Sequence, residues 1–339
     1  MARLHIFNPD TDFALAAKSD FYTPPASVAS LRREFALTPA LYADPGDAIL
    51  LLDNLTADEI AALPHYSHAV RKNLTLVRLP GKGEAPNRRF EGYVADPWGW
   101  NSSLRRLLMN RFSGIRGIPS EEMLTNIRRL SHRRITIDFL KPLIEEENEK
   151  AGCGAEILSE SLRLPQEIFS VEEALELYFN SDDLFFKAPW SSSGRGIIRT
   201  NDLEERHVRP WIEGIIAAQG SVIAETAYDK LLDFATEWKC LQGKVTFSGF
   251  SLFETSRRGK FKGVFHLDSQ EIARRISEAS FKPIEETVEY QRRQICRLIA
   301  PFYDGPLGVD SLVTKSGMIN PCVEINLRRT MGMIPLEYC

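Results

Sequence analysis

The sequence predicts an α/β protein over its first ~115 residues and a strand-rich α+β arrangement after them. In the first part, short apolar runs alternate with helical patterns, the signature of a parallel sheet with crossover helices. In the second, runs of strand character dominate from SVIAETA onward. A chain of 339 residues also exceeds what one hydrophobic core usually organises, so at least two domains are expected.

Taken in order, RLHIF (3–7), AILLLD (48–53) and NLTLVRL (73–79) read as strands. SVASLRREF (27–35), TADEIAAL (56–63) and SLRRLLMNRF (103–112) read as helices between and after them. Asn101, Ser102 and Ser103 precede the last of these and can cap its free amides. A domain boundary is expected near residue 115. Two further helical periods open at Pro119-Ser120-Glu121-Glu122 and at Ser131. VEEALELYF (171–179) is an amphipathic helix, DLFFKA (183–188) and GIIRT (196–200) are strands, and Pro210 should bend or split a helix over 203–219. Four strands follow (SVIAETA, LDFATEWKCL, KVTFSGFSLFE, FKGVFHL), then a helix over 285–303, then two closing strands over 306–314 and 319–328.

Composition narrows the function classes. With 42 Lys plus Arg against 46 Asp plus Glu, the net charge of −4 creates no global field for a nucleic-acid backbone or an anionic membrane. No apolar run approaches the length of a membrane span or a signal peptide. The 5 cysteines show no C-x-x-C or zinc spacing, which fits reduced thiols in the cytoplasm. His65 and His68 lack companion ligands and read as ordinary surface or core residues.

The closing strands carry the first chemical signal. In VEINLR, Glu324, Asn326 and Arg328 share one face, because side chains alternate with period two. Asp310 in GVDSLV lies across a turn built on Lys315-Ser316-Gly317, the layout of an antiparallel hairpin. An odd loop or a bulge at Gly317 would set it opposite Glu324. Two opposed carboxylates repel by a few tenths to about 1 kcal/mol unless a cation lies between them. Oxygen-only ligands suit magnesium, with manganese as an alternative ion, and leave room for phosphate oxygens.

The second signal is FKAPWSSSGRGI (186–197). Its small residues expose backbone amides that can cradle phosphates, with Lys187 on the preceding strand and Arg195 in the turn. It is neither a P-loop nor part of a kinase signature set. Together these stretches resemble the ATP-grasp superfamily of carboxylate–amine and carboxylate–thiol ligases. There a strand ending in lysine leads into a glycine-rich loop, as in FKAPWSSSGRG, with serines here in place of the leading glycines. VIAETAYDKLLDFATEW is similar to the family's adenine-lining hinge, and Asp310 with VEINLR to its acidic residue followed by E-x-N-x-R.

The resemblance implies an ATP-grasp fold preceded by a parallel-sheet, Rossmann-like N-terminal domain. Domain 1–115 would precede a grasp over 116–339, made of a helical lead-in (116–165), a phosphate-loop subdomain (166–225) and a metal-binding subdomain (226–339). It implies that Lys187, Ser192, Ser193, Gly194, Arg195 and Gly196 meet the phosphates of ATP. Ala224 and Glu225 would meet the adenine and Asp233 the ribose. Asp310, Glu324 and Asn326 would hold magnesium, and Arg328 the reacting acyl phosphate, with Lys187 and Arg328 the catalytic pair. The family's upstream phosphate lysine has Arg133 or Arg134 in its place.

The expected activity is an ATP- and magnesium-dependent ligation of a carboxylate to an amine-like nucleophile. A phosphotransferase acting on a hydroxyl and a non-catalytic ATP-binding regulator are the alternatives. The expected partners are small molecules, with no nucleic acid and no membrane, and the sequence allows a homo-oligomer. Specificity is expected in the N-terminal domain, where Asn8-Pro9-Asp10 end the first strand and Asp96-Pro97-Trp98-Gly99-Trp100-Asn101 form a loop before a helix, and in the loop bearing Arg257, Arg258 and Lys260.

Overall fold

The structure, a computed structural model, describes residues 1–81, 83–152, 161–191, 194–280 and 282–337. Ser192 and Ser193 of the expected phosphate loop therefore lie outside the described residues. The chain divides into two units, one formed by Met1–Arg128 with the last few residues, the other by Arg129–Leu336. The division falls inside the helix Glu121–Leu130, beyond the boundary expected near 115.

The first unit is built on four parallel strands, β1 (Arg3–Ile6), β2 (Ala48–Leu51), β3 (Thr75–Arg78) and β4 (Val94–Pro97), in the order β3-β2-β1-β4. Both faces are covered, which is why AILL reads as an unbroken apolar run. Leu4, Ile6 and Leu50 pack with Leu104, Leu108 and Phe112 on one face, while Ile49 and Leu51 pack with Leu37, Leu55 and Ile60 on the other. Strand β4 falls where the sequence suggested only a loop. It is four residues long and ends in a proline, tolerable because β4 is an edge strand. Asn101 caps the helix Ser102–Arg111 as expected, its side chain accepting from the Leu104 amide.

The second unit holds two antiparallel sheets. The smaller has β5 (Gln166–Ile168), β6 (Leu184–Lys187), β7 (Ile197–Arg199) and β8 (Val222–Thr226) in the order β5-β8-β6-β7. Phe186, Val222 and Ala224 pack there against Val208 and Ile212 of the helix Glu205–Gln219. That helix is one continuous element and is not split at Pro210.

The larger sheet has β9 (Lys230–Leu241), β10 (Lys244–Thr255), β11 (Phe261–Phe265), β12 (Gly305–Thr314) and β13 (Ile319–Asn326) in the order β11-β10-β9-β12-β13. One face buries Phe234, Leu252 and Val313 against the helices Ser269–Ala279 and Ile284–Leu298. The first of these helices was not foreseen, although Asp268 caps it and Ile272 and Ile276 give it an apolar stripe. The opposite face is polar and carries the site.

Candidate functional site

Register decides what that polar face contains. Asp310 on β12 lies directly opposite Glu324 on β13, and Gly308 opposite Asn326. The bulge that permits this is not at Gly317. It lies at residues 321–323 of β13, opposite Ser311, where the register shifts between Asp310 and Leu312. Pro321 has no amide to donate, so the ladder yields there. Its carbonyl instead accepts from Gln291 Nε2 at 2.7 Å and from Ser311 Oγ at 3.1 Å. Gly317 does take a left-handed conformation, φ 80°, in the turn that joins the strands.

The same alternation brings in Glu237, which the sequence reading did not select, on the face of Asp233, which it did. On β9, Glu237 lies opposite Gly308 and Ala235 opposite Asp310, so Asp233, Ala235 and Glu237 share the face of the two carboxylates. Glu237 is fully buried and accepts hydrogen bonds from Ser251 Oγ at 2.8 Å and Thr330 Oγ1 at 2.9 Å. A Cβ on Gly308 would come 2.8 Å from its carboxylate, so glycine makes the space. The spacing D-x-x-x-E in LDFATEW was the legible sign of Glu237.

These acids act on one another. Burial pushes the Asp310 carboxyl well above its ordinary value, and the carboxylates of Glu324 and Glu237 push it further, against the pull of Arg328. Asp233 Oδ2 is held by Lys230 Nζ and by Thr255 Oγ1 at 2.8 Å.

On the smaller sheet, Lys187 is 5% exposed and pairs with Glu225 on the adjacent strand β8. Ala224 faces the other way, its methyl packed in the core with Phe186 and Val222. Beyond β6, the Ala188 amide donates to the Gly196 carbonyl at 2.7 Å, closing the loop at its base. Gly194 has φ 73°, and a Cβ there would lie 2.5 Å from the Gly259 carbonyl oxygen; only glycine meets both conditions. A Cβ on Gly196 would likewise meet Ser191. Arg195 is exposed. In the facing turn, Arg258 pairs with Asp202 at 3.1 Å and Arg257 approaches the same carboxylate at 3.7 Å.

The two upstream arginines part company. Arg134 has 55% of its side chain exposed and approaches Glu167 at 3.4 Å. Arg133 is buried, its amide donating to the Pro189 carbonyl at 3.0 Å. Its Nη2 donates to Ser191 Oγ at 3.2 Å and pairs with Glu324 Oε1 at 2.7 Å. Arg133 thus links the loop after β6 to the acidic hairpin. Burial pushes the Cys322 thiol up, as do the carboxylates of Glu225, Asp310 and Glu324, while Lys187 opposes them.

At the site, Arg133 Nε, Arg133 Nη1 and Glu225 Oε1 are buried without a hydrogen-bond partner among the described residues. Buried donors and acceptors in this condition call for an external partner. The donors fit phosphate oxygens, and the oxygen set of Asp310, Glu324 and Asn326 fits a hard divalent ion. Among the described residues, no group of three or more His, Cys, Asp or Glu side chains could hold a metal, so Asn326 or ligand oxygens would have to complete such a site.

Known structures share this architecture. The biotin carboxylase from Campylobacter jejuni, in its β,γ-ATP complex, superposes with a TM-score of 0.51 at 12% identity over 99% of this chain and 68% of that one. The biotin carboxylase domain of the Hydrogenobacter thermophilus 2-oxoglutarate carboxylase, crystallised with MgADP and bicarbonate, gives a TM-score of 0.50 at 14% identity over 91% of this chain and 66% of that one. The chain has the ATP-grasp fold. It spans about two-thirds of the length of both structures. No family model and no curated protein matches the sequence. Within the ATP-grasp fold, the two sheets of the second unit are the pair that carries Lys187 and Glu225 on one side and the Asp310–Glu324 hairpin on the other.

Outside the second unit, the expected loops are engaged locally. Asn8 Nδ2 donates to the Gly99 carbonyl at 2.7 Å, and Asp10 is buried 3.7 Å from Arg32. Asn101 holds the Leu104 amide and Thr11 Oγ1. His65 and His68 stack edge-to-face on each other.

Proposed function

We propose that this protein is an ATP- and magnesium-dependent ligase that activates a carboxylate as an acyl phosphate for attack by an amine-like nucleophile. The observation that carries the reading is the direct opposition of Asp310 and Glu324 on a polar sheet face, with the buried, unpartnered donors of Arg133 beside them. Opposed carboxylates are costly without a cation, and buried guanidinium donors without an acceptor.

When bound, the magnesium nucleotide supplies a transferable phosphoryl group whose charge the ion partly neutralises. The chain's own residues position and neutralise. Lys187 and Arg133, both buried, meet phosphate oxygens with little loss to solvent screening, and Arg195 adds charge from the exposed loop. Gly194 and Gly196 are assigned to the backbone that covers the phosphates. Glu225 is assigned to the adenine edge and Asp233 to the ribose hydroxyls. Of the expected adenine contacts, Ala224 has only its backbone to offer. Asp310, Glu324 and Asn326 would hold the ion. Arg328, whose charge lowers the Asp310 carboxyl, is assigned to the acyl phosphate oxygens. A carboxylate oxygen of the substrate attacks the γ-phosphorus and ADP leaves; the amine then attacks the acyl carbon and phosphate leaves. The substrate is a small-molecule carboxylate, and a dimer or larger assembly is compatible with this reading.

The test is ADP release from ATP with magnesium and pools of amino acids and dicarboxylates, with and without hydroxylamine. A hydroxamate formed with one pool is the expected result. Stoichiometric ADP with a phosphoester and no hydroxamate would identify a phosphotransferase, and nucleotide binding without ADP release from any pool would identify a regulator.

A further inference from the structure

Each acid assigned to the nucleotide or its ion is closed by a base of the same unit, with one exception. Glu225 is paired by Lys187, Asp233 by Lys230 and Glu324 by Arg133. The Asp310 carboxylate alone makes neither a hydrogen bond nor an ion pair among the described residues, although it faces Glu324. The Arg133–Glu324 pair differs from the other two, since it joins the segment before the smaller sheet to the acidic hairpin of the larger. Only 3% of the Arg133 side chain is exposed, and the Pro189 carbonyl fixes its backbone, so the guanidinium cannot swing away into solvent.

A free divalent ion arriving at Asp310 and Glu324 would share a carboxylate with this buried cation. Like charges sharing one carboxylate repel, and the burial of the guanidinium limits screening. A polyphosphate relieves that repulsion, because its oxygens offer acceptors to Arg133 Nε and Nη1 and put negative charge between guanidinium and ion. We propose that Arg133 keeps the ion site closed to a free divalent ion until a nucleoside polyphosphate occupies its unpartnered donors, so that nucleotide and ion bind with strong positive coupling. The proposal rests on the nucleotide reading above and goes beyond it, since a site without such a cation would accept the ion alone. Coupling of this kind is reciprocal, and factors of about 5–150 are typical.

The experiment uses the full chain and Mn2+, followed by the electron paramagnetic resonance signal of the free ion. Wild type should bind Mn2+ weakly alone, and MnADP well. Arg133→Gln should bind Mn2+ alone at least about tenfold more tightly than wild type. Unchanged or weaker Mn2+ binding by Arg133→Gln, in a wild type that binds MnADP, overturns the proposal and leaves the nucleotide reading intact. Failure of wild type to bind MnADP at all sinks that reading and the proposal with it.

A second measurement covers the case in which Arg133→Gln does not fold. In EDTA, metal-free ADP should bind Glu324→Gln more tightly than wild type, because Arg133 has lost its counter-ion. Asp310→Asn removes an equal charge from the same face without touching that pair, so its gain should be smaller. Equal gains, or no gain for Glu324→Gln, overturn the proposal.

Discussion

Asp310 concentrates the cost of this site in one side chain. It is held opposite Glu324 and near Glu237, and burial raises its carboxyl well above the ordinary 3.8. A group whose folded value is raised contributes stability that is present below the unfolded value and lost as pH rises through the folded one. Ionised Asp310 is therefore a burden at neutral pH. Asp310→Asn should raise the melting temperature of the ligand-free protein at pH 7 to 8, by an amount equivalent to about 1 kcal/mol or more, and have little effect near pH 4. A difference that shrinks with rising pH would contradict the assignment. Glu237 is the residue that a closer reading of alternation would have found. Arg133 could not be separated from Arg134 in sequence, because adjacent basic residues look alike until one is buried and the other faces water.

Among elements, the loop between β6 and β7 and the hairpin β12–β13 are built by different means. The loop depends on glycine at Gly194, where both the left-handed backbone and the nearby Gly259 carbonyl exclude a side chain. Gly194→Ala should cost about 1–2 kcal/mol locally and weaken nucleotide binding several-fold, read by titration of ADP against tryptophan fluorescence; Trp190 lies at the base of the loop. Undiminished affinity would remove Gly194 from the phosphate-binding loop. The hairpin depends on its bulge. Strand type was legible there, since GVDSLV and VEINLR alternate cleanly. The extra residues at 321–323 were not, because a bulge is set by what the neighbouring strand and Gln291 offer in space.

For the whole molecule, ligand binding should appear as stability of the second unit, which contains every residue of the proposed site. MgADP at about one hundred times its dissociation constant should stabilise by ~2.7 kcal/mol, a rise of roughly 5–10 °C in the transition of a unit this size. Glu324→Ala should abolish the rise. Persistence of the full shift in that variant would show that the ion and phosphates bind elsewhere. The balanced charge of the chain, −4 overall, makes this a local effect: the bases and acids of the proposed site are gathered in the second unit and not spread over the surface.

The sequence by itself determined most of the order of elements, missing β4 and the helix Ser269–Ala279, together with the parallel first sheet, the strand-rich second unit, and the period-two placement of Glu324 and Asn326 on one face, all of which follow from local periodicity. Glu237 and the inward turn of Ala224 were legible in the alternation of their strands, whereas tertiary structure alone decided that Asp310 meets Glu324 across the bulge at 321–323 and that Arg133 and not Arg134 reaches Glu324. Those outcomes depend on register and burial, which arise from pairing between segments far apart in the chain and leave no mark in any one of them.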